Sequence, residues 1–139
     1  MNRKRILSGG LLAGIVYLGL DYVINDVLLK SAWHEALASG YIKTLQPRTL
    51  PVITLIDLGI GFVLMWLYAS ARPRMGPGPK TALRMGTLAW FLLYVPAASA
   101  QWLWYQLPSN IPATYLVAGL LQCWISIYLA GWQYIEKAP

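Results

Sequence analysis

The amino-acid sequence predicts an all-α integral membrane protein, built as one domain over residues 1–139 from an antiparallel bundle of four membrane-spanning helices. Of the 139 residues, 58% are hydrophobic and 12% are charged, whereas soluble domains carry about 25% charged residues. A soluble fold of this length cannot bury so much apolar surface. Four apolar stretches also reach the roughly 20 residues that a hydrocarbon core of about 30 Å requires.

Each predicted span follows from its own apolar run, and the four spans cover residues 6–29, 50–71, 85–107 and 111–135. The first span is not a cleavable signal peptide, because its run is long, contains acidic residues and precedes no small-residue cleavage site. Pro96 is expected to kink the third span. A short turn around Ser109 makes the third and fourth helices antiparallel neighbours.

The connection between the first two spans is the longest, and residues 31–39 within it are predicted to form a short interfacial helix. Ser31 is the expected N-cap, and Gly40 follows the expected C-terminal end. The face expected to lie against the membrane carries Trp33, Leu37 and Tyr41.

The distribution of lysine and arginine predicts the orientation. One side of the membrane receives eight basic residues, namely Arg3, Lys4, Arg5, Arg72, Arg74, Lys80, Arg84 and Lys137. The other side receives Lys30, Lys43 and Arg48. The positive-inside rule then predicts a multi-pass protein of the cell inner (plasma) membrane, with both termini and the connection 72–84 in the cytoplasm. The residues of that connection expected to contact anionic headgroups, or to dock a cytoplasmic partner, are Arg72, Arg74, Lys80 and Arg84.

Two aspartates inside the spans are the most informative residues. A carboxylate there costs at least about 2.5 kcal/mol, so it normally faces protein or water. Asp21 and Asp57 fall at similar depths in the outer half of the bilayer, on the polar faces of their helices. The candidate ligand-binding cavity consists of Tyr17, Asp21, Asn25, Asp57, Tyr94, Gln101 and Gln122. Trp33, His34 and Glu35 are predicted at its mouth.

Three interpretations of this polar cluster are open. The aspartates are protonated and hydrogen-bonded to Asn25, Tyr17 or Gln101, which would hold the helices together. Alternatively, they line a water-filled cavity that binds a proton, a cation or a polar ligand. Lastly, the pair acts as a catalytic acid and base. With no lysine or arginine at this depth, at least one aspartate is expected to be protonated or to hold an ion.

Other residues limit the chemistry or set the packing. Cys123 is the only cysteine, which excludes an internal disulfide and a multi-cysteine metal site. His34 is the only histidine, so one chain cannot supply a bis-histidine haem site or a histidine-rich zinc site. No metal site is therefore predicted, and no residue is assigned a catalytic role. Gly10 and Gly14 allow close helix approach, either between two copies of the chain or within one.

The connection after the second span also carries a resemblance. Its segments 67–69, 72–74 and 76–82 read LYA, RPR and GPGPKTA. This pattern resembles a signature of small uncharacterised bacterial four-helix membrane proteins. The first helix, with Asp21, Asn25 and the following Trp33, is similar to the same group. The likeness covers about the first two-thirds of the chain. It implies the fold and supplies no activity or catalytic residue.

The sequence favours a non-enzymatic function, as an accessory subunit or as a carrier or receptor for a small ligand in the outer-half cavity. Two alternatives are a membrane enzyme that acts on a lipophilic substrate through Asp21 and Asp57, and a purely structural subunit. The expected partner is the lipid bilayer, and a homo-oligomer or a larger membrane complex is left open. Because the basic residues flank hydrophobic spans, nucleic acid is not an expected partner. The cofactor is unknown from sequence.

Overall fold

The computed structural model describes residues 2–44 and 46–134, and within them it contains five α-helices and one π-helical segment. The helices are α1 (Arg3–Tyr22), α2 (Lys30–Ala38), α3 (Thr49–Met75), α4 (Pro79–Trp104) and α5 (Asn110–Trp132). The π segment (Val23–Leu28) continues α1. The prediction of an all-α fold is confirmed for this part of the chain. The predicted end of the fourth span at residue 135, and Lys137, lie outside the described residues.

Three helical stretches in the described part of the chain are long and apolar enough to cross a membrane. They are Arg3–Leu28, Thr49–Met75 and Asn110–Trp132. The 26-residue helix α4 is not among them. Arg84, Pro96 and Gln101 lower its mean hydropathy. Three of the four predicted spans therefore meet the requirement of length and composition.

The connection between α3 and α4 is much shorter than the sequence pattern predicted. Helix α3 continues to Met75 and α4 begins at Pro79, so only residues 76–78 connect them. Gly76 and Gly78 have φ values of 81° and 117°, a region that glycine enters without steric cost. Pro79 occupies the first turn of α4. Backbone N–H groups in the first turn have no partner within the helix, so the N–H that proline lacks costs no hydrogen bond there.

The four basic residues assigned to a loop over 72–84 therefore lie on helix ends, and that prediction is corrected. Arg72 and Arg74 occupy the last turn of α3, where cations stabilise the carbonyl end of the helix. Lys80 and Arg84 lie in the first two turns of α4. Hydropathy alone did not reveal these turns, because charged residues lower the score without breaking the helix.

Helix α2 also differs from its prediction. It begins at Lys30, with Leu29 at the N-cap position and no side-chain cap, so Ser31 lies inside the helix. Gly40 follows the end of α2 with a φ of 75°. Trp33 does not face outward as predicted. It is half-buried, and its indole N–H donates to Asn25 Oδ1 at 3.1 Å, because a partly buried indole N–H needs an acceptor.

Helices α1 and α3 run antiparallel and touch through glycine. A Cβ placed on Gly61 would lie 2.1 Å from the backbone nitrogen of Gly14 and 2.7 Å from the carbonyl oxygen of Gly10. The two backbones are thus in direct contact, as small residues at four-residue spacing allow. In this structure the pair of glycines on α1 serves packing within one chain.

Helices α4 and α5 pack along each other through larger side chains. The indole N–H of Trp90 donates to the Leu116 carbonyl at 2.8 Å, and that of Trp124 donates to Thr87 Oγ1 at 2.9 Å. Because later residues of α4 meet earlier residues of α5, the helices are antiparallel. Their prediction as antiparallel neighbours is confirmed.

The start of α1, the α3–α4 connection and the chain after α5 meet at what we call the Gly-Pro end. The rings of Tyr68 and Tyr134 pack edge to face with centroids 6.2 Å apart. The backbone N–H of Asn2 donates to the Tyr134 hydroxyl at 3.1 Å, and that of Gly78 donates to the Tyr68 hydroxyl at 3.2 Å. These bonds bring three distant parts of the sequence together. The core above them includes Leu64, Met65, Cys123 and Ile127.

Candidate functional site

Toward the other end of the helices, a cavity of about 220 Å³ lies between α1, α3, α4 and the first turns of α5. Its lining consists of Tyr17, Asp21, Asp57, Ile60, Leu93, Tyr94, Ala97, Ala98, Gln101 and Tyr115. We call it the Asp21–Asp57 cavity. It is larger than a single water molecule needs and smaller than the roughly 300–1,000 Å³ of sites for drug-sized ligands. Leu93 and Ala97 are exposed, so the cavity reaches the surface along α4.

Asp57 enters this cavity from the buried face of α3. It is 5% exposed, and it precedes Gly61 by one helical turn, so the close approach of α1 covers the same face. No described residue donates a hydrogen bond to Asp57 Oδ2, nor to the buried Oε1 of Gln101 on α4. A buried acceptor without a partner costs about 1–3 kcal/mol. The cavity therefore has two acceptor oxygens that receive no hydrogen bond from residues 2–44 and 46–134.

Asp21 lines the same cavity from α1, and its carboxyl group lies beside the side-chain amides of Gln122 and Asn25. The described residues that line the cavity include two carboxyl groups and no lysine, arginine or histidine. Its electrostatic character is therefore that of an acceptor site, which favours a positively charged or hydrogen-donating guest.

A closed ring of hydrogen bonds supports the inner wall of the cavity. The Tyr17 and Tyr94 hydroxyl oxygens are 2.6 Å apart, and the Tyr94 hydroxyl donates to Gln122 Oε1 at 2.5 Å. Gln122 Nε2 donates to the Tyr17 carbonyl at 2.9 Å. Because Tyr94 donates to Gln122, the Tyr17 hydroxyl is the donor to Tyr94. This ring joins α1, α4 and α5 with every member satisfied.

Asn25 forms a second junction, at the α2 side of the cavity. Its Oδ1 accepts hydrogen bonds from the Trp33 indole and from the Tyr115 hydroxyl, and its Nδ2 donates to the Asp21 carbonyl at 3.0 Å. Asn25 lies in the π segment, a local widening of the helix that is frequent at functional sites. The junction fixes α2 and the start of α5 against α1.

The structure brings most of the candidate cavity residues together. Those that line the cavity are Tyr17, Asp21, Asp57, Tyr94 and Gln101. Gln122 and Asn25 stand behind this lining, each hydrogen-bonded to a residue of it. Tyr115 also lines the cavity and was missed. Residues 115, 119 and 122 follow helical spacing, so Tyr115 shares a face of α5 with Gln122. This shared face is the signal that could have identified it.

Trp33, His34 and Glu35 were predicted at the mouth of the cavity, but none of them is among the residues that line it. His34 and Glu35 are exposed on α2 and do not line the cavity. Trp33 instead packs on Tyr115, with ring centroids 6.4 Å apart. The reason is the direction of α2, which presents Trp33 to Asn25 and turns the two following residues outward.

The four basic residues around the α3–α4 connection, Arg72, Arg74, Lys80 and Arg84, lie at the Gly-Pro end, away from this cavity. The Arg72 guanidinium is 5.2 Å from the centre of the Tyr134 ring, a cation–π distance. Arg74, Lys80 and Arg84 are exposed. A second cavity of about 220 Å³ is present there, between Pro77, Ala82, Tyr128 and Trp132 among others, and no charged residue of the described chain lines it.

Comparison of the chain with protein-family models, with curated proteins and with solved structures found no match. The resemblance of the Gly-Pro segment to small bacterial membrane proteins therefore stays a prediction.

Proposed function

We propose that the chain is a four-span protein of the inner membrane, without enzymatic activity, that holds a small polar ligand in the Asp21–Asp57 cavity. In this proposal the protein acts as a carrier or receptor, alone or as an accessory subunit of a larger complex. Both termini and the Gly-Pro end face the cytoplasm, following the eight-to-three distribution of basic residues.

The inclusion of α4 as a fourth span rests on its length and surface. At 1.5 Å per residue its 26 residues extend about 39 Å, more than the hydrocarbon core of about 30 Å. Its outer surface carries large apolar side chains along most of its length, with Leu88, Phe91, Leu92 and Leu103 all exposed. Its polar residues Tyr94 and Gln101 are turned toward the cavity. Polar groups directed inward and apolar groups outward are typical of a helix in lipid.

The observation that carries the proposal is the unpaired Oδ2 of the 95%-buried Asp57 inside a cavity. If the aspartates only held helices together, Asp57 would accept hydrogen bonds from Tyr17, Asn25 or Gln101. Instead the Tyr17 hydroxyl donates to Tyr94, and Asn25 donates to a backbone carbonyl. An acceptor left without an internal donor is consistent with a donor brought by a ligand.

The same contacts argue against the enzymatic alternative. Catalysis by Asp21 and Asp57 would need donors that stabilise charge developing on a substrate. The three hydroxyl groups of the lining, those of Tyr17, Tyr94 and Tyr115, are already engaged with Tyr94, Gln122 and Asn25. The arrangement therefore supports binding better than it supports acid–base chemistry.

The test is a thermal-unfolding screen of the purified protein in lipid nanodiscs against small cationic, neutral and anionic compounds. A ligand at 100 times its dissociation constant stabilises the folded state by about 2.7 kcal/mol. We expect a compound that raises the melting temperature of the wild type and of Ser99→Leu, which adds bulk on the exposed side of α4. The same compound should have no effect on Ala98→Leu, which fills the cavity.

A second cavity variant keeps the test decisive if Ala98→Leu does not fold. Gln101→Met keeps the side-chain volume and removes one unpaired acceptor. It should therefore fold and bind the compound more weakly. A screen without a single stabilising compound, or a shift that persists in both cavity variants, contradicts the proposed function.

A further inference from the structure

We infer that the ligand of the Asp21–Asp57 cavity is a small primary amine in its protonated form, bound through its ammonium group to Asp57 and Gln101. The inference rests on the proposed function and specifies its ligand class. Three properties of the lining select this class: its charge, its hydrogen-bonding groups and its apolar surface.

The charge of the lining selects a cation. Asp21 and Asp57 face one space, and no basic side chain among the described residues lines it. Two carboxylates cannot both be ionised cheaply in such a site without a positive charge between them. A monovalent cation between the two carboxylates offsets this repulsion, whereas an anionic ligand would add to it.

The hydrogen-bonding groups select an N–H donor. The two buried atoms of the lining without a partner in the described chain are both oxygens, Asp57 Oδ2 and Gln101 Oε1. To satisfy both, a ligand has to donate at least two hydrogen bonds from one end. A primary ammonium group has three donors. A quaternary ammonium group has none, and an alcohol has one.

The rest of the lining fits a short carbon chain better than a bare metal ion. Ile60, Leu93 and Ala98 are apolar, and Tyr94 and Tyr115 add aromatic rings 6.3 Å apart, to which an ammonium group is attracted. No group of three or more His, Cys, Asp or Glu comes together among the described residues. A cavity of about 220 Å³ also exceeds what a dehydrated ion fills.

The experiment measures equilibrium binding to the full chain in nanodiscs at pH 7. The probes are primary alkylamines of one to six carbons, with 1-butanol, butyltrimethylammonium, butyrate, sodium chloride and potassium chloride as comparisons. Asp57→Asn removes the charge and keeps the shape of the cavity. Asp26→Asn makes the same change at an exposed position outside the lining. We expect at least one amine to bind the wild type. Its dissociation constant should be at least tenfold higher for Asp57→Asn and unchanged for Asp26→Asn.

The outcomes separate this inference from the proposed function. Binding of amines without binding of butanol or butyltrimethylammonium supports both. Saturable binding of butanol, butyltrimethylammonium or butyrate that Ala98→Leu abolishes overturns the amine inference and leaves the cavity as a ligand site. A sodium or potassium effect lost in Asp57→Asn also overturns it, in favour of an inorganic cation. Absence of binding by every probe, together with a negative screen of the wider compound set, overturns both.

Discussion

Gln122 is the residue on which the interior wall of the cavity depends. Its side-chain oxygen accepts from Tyr94 and its amino group donates to the Tyr17 carbonyl. The amide orientation is fixed, because a flipped amide would place its oxygen against that carbonyl oxygen. Ser126, one turn further along α5, is equally buried, yet its hydroxyl has no partner in the described chain. Of these two buried polar residues on one helix face, Gln122 stabilises the fold through its hydrogen bonds, whereas the unpaired hydroxyl of Ser126 lowers stability.

These roles predict opposite responses to substitution. Gln122→Leu should lower the free energy of unfolding by about 1–3 kcal/mol, because the Tyr94 hydroxyl would lose its acceptor. Ser126→Ala should leave stability unchanged or raise it, since an unpaired buried hydroxyl is removed. Equilibrium unfolding of both variants in one detergent provides the comparison. A loss of stability in Ser126→Ala as large as that in Gln122→Leu would refute this account.

At the scale of elements, the contact between α1 and α3 has no room for a side chain. The atoms nearest to a Cβ on Gly61 are backbone atoms of Gly14 and Gly10, which cannot rotate away as a side chain can. Gly59 lies on the same helix, two residues earlier, with nothing within 4 Å of its Cβ position. The two glycines form a matched pair for substitution.

Gly61→Ala should therefore separate α1 from α3 and destabilise the protein by at least about 1–3 kcal/mol, the usual cost of overpacking. Gly59→Ala should be neutral or stabilising by up to about 1 kcal/mol, because alanine favours the helix. Thermal unfolding of the two variants beside the wild type tests the difference. Equal melting temperatures for both would show that the glycine contact is not required.

At the scale of the whole molecule, the proposed orientation in the membrane rests on the distribution of basic residues. We predict that Pro77→Cys is protected and that Ser39→Cys and Ser109→Cys are labelled when intact cells receive an impermeant thiol reagent. Pro77 is chosen because Gly78, beside it, has a φ that other residues rarely adopt. The background carries Cys123→Ala, which removes the buried native thiol. Labelling of position 77 from outside would invert the proposed orientation.

The sequence predicted the helices better than their ends. Apolar runs identified the four long helices because lipid and packed helices both favour apolar side chains. They missed the last turn of α3 and the first two turns of α4, where Arg72 and Lys80 continue the helices. The π segment around Asn25 was not predictable, because it depends on tertiary contacts with Trp33 and Tyr115 that no local pattern encodes.

The candidate site was predictable where a residue was costly to bury. Asp21 and Asp57 were identified because a carboxyl group within an apolar run is costly to place in lipid and therefore usually faces protein or water. Tyr115 was not, since a tyrosine near the end of a span is as typical of the membrane interface as of a cavity. His34 and Glu35 were assigned to the mouth by proximity in sequence, and the direction of α2 turned them outward.

The glycine contact also determines how the cavity can open. Backbones that touch at Gly14 and Gly61 cannot slide past each other without breaking the contact, so α1 and α3 form one stiff half. The indole hydrogen bonds of Trp90 and Trp124 tie α4 to α5 as the other half. The cavity lies across the boundary between these halves, with Asp57 on one side and Gln101 on the other. Any widening of it that separates the two halves has to break the hydrogen bonds that cross this boundary, which are Tyr17–Tyr94, Gln122–Tyr17 and Tyr115–Asn25.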